Sequence, residues 1–149
     1  MNKERFVYVT YIGTTPEAVW NALTKGELTR EYWRGENISD WTPGSRWDHV
    51  AVDGKRTVKV SGQVLECQPP RRLVMTWANP SELGDPSANS KVAFDIETVG
   101  SMVRLTVTHD ELTPDMERRI THGWPRVLSS LKSFLETGRP LDVYAYVDN

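Results

Sequence analysis

The sequence predicts an α+β fold in which a curved antiparallel sheet wraps around one long C-terminal helix, with two short helices after the first strand. Three observations predict it. From Gly44 onward, apolar and polar residues alternate with a period of two in successive runs separated by turn residues. Near the end, GWPRVLSSLKSFLETGRP sets Trp124, Val127, Leu128, Leu131, Phe134 and Leu135 at helical intervals on one face. A helix with one broad apolar face needs a sheet to lie on, and the inward faces of the strands supply it.

The elements follow in order. Residues 5–12, RFVYVTYI, are β-branched or aromatic on both parities, which predicts a strand covered on both faces or paired centrally. In GTTPEAVWNALTKG, Thr15 is an N-cap, Pro16 takes the first helical position, and Val19, Trp20 and Leu23 form a short apolar stripe before Gly26. The segment LTREYW adds a second helical stretch that delivers Tyr32 and Trp33 to a polar loop. In SRWDHVAV, Trp47, His49 and Ala51 share a face, and Asp53-Gly54 then predicts a tight hairpin turn. TVKVSGQVLEC puts Val58, Val60 and Val64 on one face, with Gly62 as a bulge or a point of close approach, and Pro69-Pro70 stops the strand. RRLVMTW turns Leu73, Met75 and Trp77 inward. The polar stretch between Trp77 and Lys91 exceeds an ordinary hairpin loop and is either a lid or a disordered excursion. Beyond it, Val92, Phe94 and Ile96 pair with Val103, Leu105, Val107 and His109 in a hairpin closed by Val99-Gly100-Ser101, with one buried and one wet face. Pro125 reads as a helix start or a kink, Gly138 as its end, and LDVYAYVDN either packs back or frays.

The 149 residues suit a single domain, with a core over about 5–138 and an extension over 139–149. Eighteen Lys+Arg against 20 Asp+Glu give a net charge of -2, which argues against a nucleic-acid partner and an anionic membrane. A mean hydropathy of -0.50 and the charged start MNKERF argue against membrane insertion or a secretory leader, so a cytoplasmic location is expected. One cysteine, Cys67, fits a reducing compartment and reads as a structural thiol. Six Trp against three Phe is the one unusual proportion, and such bulk fills cores or lines cavities.

The motifs TPEAVWNALT, PPRRLVMTW, VRLTVTHDEL and GWPRVLSSLKSFLETGRPL resemble the small, stand-alone bacterial proteins of the START-like (SRPBCC) superfamily, in the branch homologous to activators of heat-shock-protein ATPase. The resemblance covers about residues 5–141. It implies the helix-grip fold also seen in the birch-pollen allergen, with a deep apolar cavity between sheet and long helix. Across the superfamily such cavities hold lipids, polyketides and hormones, and activities run from lipid transfer and cyclase or hydrolase catalysis to co-chaperone action in the stress response.

On the inward faces, Trp47, His49, Val60, Met75, Trp77, Phe94 and His109 stand opposite Trp124 and Leu128 of the long helix, with His122 expected at the mouth and Trp33 at the start of the polar loop after the second helix. These are the candidate ligand-binding residues, and an ordinary filled core is the alternative for each. His109 reads either as a ligand donor or general base, or as a buried imidazole bonded to a nearby hydroxyl. The spacing of His49, His109 and His122 matches no metal motif, and no nucleophile elbow, phosphate loop or dinucleotide fingerprint occurs, so neither metal nor cofactor is expected. Three functions follow in order of preference. The first is binding of a small hydrophobic or aromatic molecule, the second is stimulation of a chaperone ATPase, and the third is a cyclase or hydrolase using His109 or His122. A homodimer would cover exposed sheet edges.

Overall fold

The computed structural model describes residues 3–143. Seven antiparallel strands form one sheet: β1 (Glu4–Ile12), β2 (Gly35–Ser39), β3 (Arg46–Ala51), β4 (Val58–Gln68), β5 (Arg72–Trp77), β6 (Ser90–Val99) and β7 (Met102–Leu112). Their order is β1-β7-β6-β5-β4-β3-β2. Two short helices, α1 (Pro16–Thr24) and α2 (Gly26–Trp33), follow β1, and the long helix α3 (Pro114–Thr137) lies on the inner face. This is the helix-grip architecture expected from the sequence. Thr15 caps α1 through its hydroxyl, which accepts from the Ala18 amide at 3.2 Å, with Pro16 next in line.

The β6–β7 hairpin follows the alternation closely. Val92, Phe94 and Ile96 are buried beside Val103, Leu105, Val107 and His109, while Arg104 and Glu97 pair on the wet face at 2.8 Å. Strand β4 is the corner of the sheet. Its residues 58–63 pair with β3 and residues 64–68 with β5, with a register shift between Val64 and Glu66. A bulge of this kind bends the strand and tightens the wrap around α3.

Four expectations are corrected. Strand β1 is an edge strand, so Val7, Val9 and Tyr11 are 52%, 47% and 41% exposed, and only the alternate residues Phe6, Tyr8 and Ile12 face the core. Residues 35–39 form a strand rather than a loop, held by side-chain bonds: the Asn37 amide donates to Thr29 Oγ1 at 2.9 Å and Asn37 Nδ2 to the Leu23 carbonyl at 3.2 Å. The β3–β4 connection is longer than a two-residue hairpin, because the Asp53 carboxylate gathers the Lys55 amide and the Thr57 amide and hydroxyl into a wider loop. Helix α3 starts at Pro114, well before Pro125, because Thr113 caps it by accepting from the Met116 amide at 3.3 Å.

The stretch from Trp77 to Lys91 is folded. It makes two 3-10 turns, Pro80–Glu82 and Pro86–Ala88, and Asn89 Nδ2 donates to the carbonyls of Leu83 at 3.2 Å and Asp85 at 2.7 Å. At the far end, Gly138 takes the left-handed conformation (φ 81°) that ends α3. The chain then turns back, and Ser130 Oγ bonds both the carbonyl of Leu141 (3.2 Å) and its amide (3.0 Å). The tail beyond Val143 lies outside the described residues. The last turns of α3 also latch β1. Lys132 Nζ donates to the Tyr11 carbonyl at 2.6 Å, and the Glu136 carboxylate accepts from the Gly13 amide at 2.7 Å.

Candidate functional site

Six elements bring the aromatic residues together between the sheet and α3. Trp33 comes from the end of α2, Trp47 and His49 from β3, Trp77 from β5, Phe94 from β6, His109 from β7 and Trp124 from α3. Trp77 is the hub. Its ring centroid lies 5.5 Å from that of Trp47, 6.3 Å from Trp33, 5.4 Å from Trp124 and 5.2 Å from His109. Trp124 adds contacts to Trp33 at 5.4 Å and to Phe94 at 5.7 Å in an edge-to-face arrangement. These are the separations at which offset and edge-on rings attract. Met75 and Leu128 are buried in the same cluster, and Val60 packs against it while half-buried, as does Trp77 itself.

Four rings of this cluster are tied by hydrogen bonds to one another or to their immediate neighbours. An indole N–H can only donate, so Trp124 Nε1 gives its proton to His109 Nδ1 at 3.0 Å, and the His109 proton sits on Nε2. That nitrogen donates to Ser90 Oγ at 2.7 Å, and the Ser90 hydroxyl donates to the Trp77 carbonyl at 3.0 Å. Both nitrogens of His109 are therefore engaged. On the other side, His49 Nδ1 donates to Asn37 Oδ1 at 2.7 Å, since a carboxamide oxygen can only accept, while Asn37 Nδ2 donates to the Leu23 carbonyl. Trp47 Nε1 donates to the Thr76 carbonyl at 2.7 Å.

Two glycines make room for these rings. A Cβ on Gly35 would lie 2.4 Å from His49 Nε2, and one on Gly62 would lie 2.0 Å from the Thr76 carbonyl oxygen and 2.6 Å from Trp47 Nε1. Gly62 is thus a point of close approach, one of the two readings its place in the strand pattern allowed.

Burial pushes the imidazoles strongly toward neutrality, His49 down to about 4 and His109 down to about 3, the latter partly offset by the Asp110 charge. Protonating His109 would also forfeit the bond from Trp124, because an imidazolium has no acceptor. The sign of the pH effect follows. Unfolded histidines bind protons near pH 6.5 while the folded ones stay neutral, so stability is full above pH 6.5 and falls as the pH drops toward the folded values. Between pH 6.5 and 5.5 each histidine is expected to cost roughly 1 kcal/mol. Urea midpoints at the two pH values would measure it, and a flat profile would show that the imidazoles are not buried as described.

His122 stands apart from the other candidates. It is exposed, whereas Trp124 is buried. Two residues along a helix turn the side chain by about 200°, so both cannot face the sheet. Asn37, Ser90 and Thr76 were not anticipated as partners. For Ser90 the signal was present, since it continues the inward parity of Val92, Phe94 and Ile96. The assembled site offers aromatic rings and neutral imidazoles that are hydrogen-bonded within the fold. No free carboxylate or cationic head enters it from the residues named.

Among curated proteins none matches this chain in sequence. Solved structures do match in fold. A protein from Mesorhizobium loti superposes with a TM-score of 0.73 at 26% identity, over 89% of this chain and 96% of that one. The Aha1 dimer from Colwellia psychrerythraea superposes with a TM-score of 0.72 at 22% identity, over 91% and 98%. An HSP90 activator from Plasmodium falciparum gives 0.73 at 18% identity, over 88% and 95%. The family model described as activator of Hsp90 ATPase homolog 1-like protein matches residues 13–136, from the end of β1 to the last turn of α3. With the wrapped sheet, the long helix and most of the sequence covered by that one model, the chain belongs to the family of activator of Hsp90 ATPase homolog 1-like proteins.

Proposed function

We propose that this domain is a co-chaperone-like interaction protein that engages a heat-shock-protein ATPase and stimulates its turnover. The observation that carries this reading is the family match over 13–136, and the Plasmodium relative described as an HSP90 activator agrees with it. The site geometry points the same way. His109, Trp124, His49 and Trp47 are hydrogen-bonded within the fold, which suits a rigid centre supporting an outer working surface. The test is ATP turnover by the Hsp90-type chaperone of the source organism with and without the purified protein. Faster turnover together with a complex on sedimentation is expected. Unchanged turnover and no complex would overturn the reading.

A second reading is binding of a small hydrophobic or aromatic molecule by the same cluster. What favours it is the half-buried state of Trp77 and Val60, which leaves part of the aromatic cluster open to solvent and so to an apolar ligand. A thermal-shift screen of lipids, polyketides and flavonoids would test it, with a saturable shift that Trp77→Leu abolishes as the supporting result. A homodimer fits the exposed Val7, Val9 and Tyr11 of the edge strand, and the Colwellia relative is described as a dimer. Light scattering of the wild type and of Val9→Lys would decide it.

A further inference from the structure

We propose that the seam between α2 and α3 is a peptide slot, filled in this structure by the chain's own residues 141–143 acting as a strap, and that it takes an extended acidic-apolar segment of a partner protein when the strap lifts. The inference goes beyond the chaperone reading and does not depend on it.

The occupant shows what the slot recognises. After Gly138 the chain doubles back, and the Ser133 hydroxyl donates to the Arg139 carbonyl at 2.6 Å while the Arg139 amide donates to Thr137 Oγ1 at 3.1 Å. These bonds make the hinge. The strap then bridges the two helices: Leu141 is bonded to Ser130 of α3, and Asp142 Oδ1 accepts from Arg34 Nη1 at 3.3 Å, at the end of α2. Of its two apolar side chains only one is taken in. Leu141 is 51% exposed, whereas Val143 is 4% exposed.

Each contact reads a different feature of a ligand. A serine inside a helix commonly turns its hydroxyl back on the preceding turn. Ser130, wholly buried, spends its hydroxyl on the strap instead, accepting from the Leu141 amide and donating to the Leu141 carbonyl. One hydroxyl that grips both backbone groups of one residue recognises an extended chain and ignores the side chain it carries. Arg34 ends α2 in the left-handed conformation (φ 64°), where glycine is the usual residue. The guanidinium placed there selects a carboxylate at the next position of the ligand. The closed site that follows selects a small apolar side chain, valine in this case.

The grip is light, which leaves the slot open to a competitor. Both members of the Arg34–Asp142 pair are more than half exposed, and such a pair adds selectivity more than strength. Among the described residues the strap makes no backbone-to-backbone hydrogen bond. A segment held by so few buried contacts opens while the sheet and α3 stay folded. A partner segment of the same chemistry then meets a hydroxyl, a guanidinium and an apolar site already positioned by the two helices.

The probe is a fluorescently labelled, end-capped peptide of residues 139–143, RPLDV, titrated into the full chain and followed by anisotropy. In Val143→Asp the strap loses its buried anchor and the slot is left to the probe. Saturable binding to this variant is expected, at least tenfold tighter than to the wild type, whose own strap competes at the high effective concentration of a tethered ligand. Leu141→Pro removes the amide that Ser130 accepts and is expected to act alike, which keeps the test standing if Val143→Asp does not fold. Peptides with lysine for the aspartate or serine for the valine, and Arg34→Gln placed in the Val143→Asp chain, are each expected to bind about fivefold more weakly. No saturation with either released variant, equal binding to the wild type, or indifference to the aspartate and the valine would each overturn the slot. A wild-type dimer that the free peptide dissociates would give the slot to a second copy and overturn its assignment to a partner. The chaperone is absent from this titration, so failure here and failure of the turnover test are distinguishable.

Discussion

Gly62→Ala is expected to lose about 3 kcal/mol of stability, an unusually large effect for a single methyl group. The added Cβ would lie 2.0 Å from the Thr76 carbonyl oxygen and 2.6 Å from both the Thr76 carbonyl carbon and Trp47 Nε1. Two of those atoms are backbone and cannot rotate aside. The corner of β4 has to shift, and the shift breaks the Trp47–Thr76 hydrogen bond that fixes the innermost indole. Gly123→Ala is the matched control, since that glycine lies inside α3 and its new Cβ meets nothing within 4 Å. There the change should stabilise by about 0.5–1 kcal/mol through helix propensity alone. Urea unfolding of the two variants beside the wild type gives both numbers. A Gly62→Ala protein as stable as its parent would mean that the strand corner is looser than the packing requires.

Trp124→Ala is expected to cost about 3–5 kcal/mol. The side chain is 3% exposed and touches rings from α2, β5, β6 and β7, so its loss leaves a cavity that no single element can close. Trp124→Phe separates packing from hydrogen bonding. It restores most of the apolar volume but leaves His109 Nδ1 buried without a donor, at an expected cost of about 1–3 kcal/mol. In a double-mutant cycle with His109→Leu, the second change should cost less in the Phe background than in the wild type. Additive losses would show that the Trp124–His109 bond contributes nothing of its own.

Where a segment has one buried face, the sequence was readable residue by residue. The inward set of β6 and β7, the stripe on α3 from Trp124 to Leu131, and the Thr15-Pro16 start of α1 all stand as the spacing predicts. So does the convergence of Trp47, Trp77 and Trp124, because parity and helical phase fix which way each points, whereas Trp33, placed at the start of a polar loop, joins them from the end of α2. The features that escaped depend on neighbours rather than on pattern. RFVYVTYI is apolar on both parities, but whether a strand ends up central or at an edge is decided by topology. GENIS has one apolar side chain, and it becomes a strand through bonds from Asn37 to Thr29, Leu23 and His49. Before Trp124, α3 offers only Met116 and Ile120 to the core, so Pro125 looked like a beginning. His122 was assigned to the mouth by closeness in sequence to Trp124, which helical geometry contradicts.

The pairing of β1 with β7 and its latch to α3 also bear on how the protein is made. Phe6 has to wait for His109, and the Gly13 amide for Glu136. At roughly 5–20 residues per second, on the order of ten seconds of translation separate the first strand from its partner. Throughout that interval VYVTYI is waiting for β7, the strand it pairs with, and the final seal on it is made by the last turns of α3. A nascent chain arrested before Lys132 should therefore present this segment to holdases, and release from them should coincide with the emergence of α3.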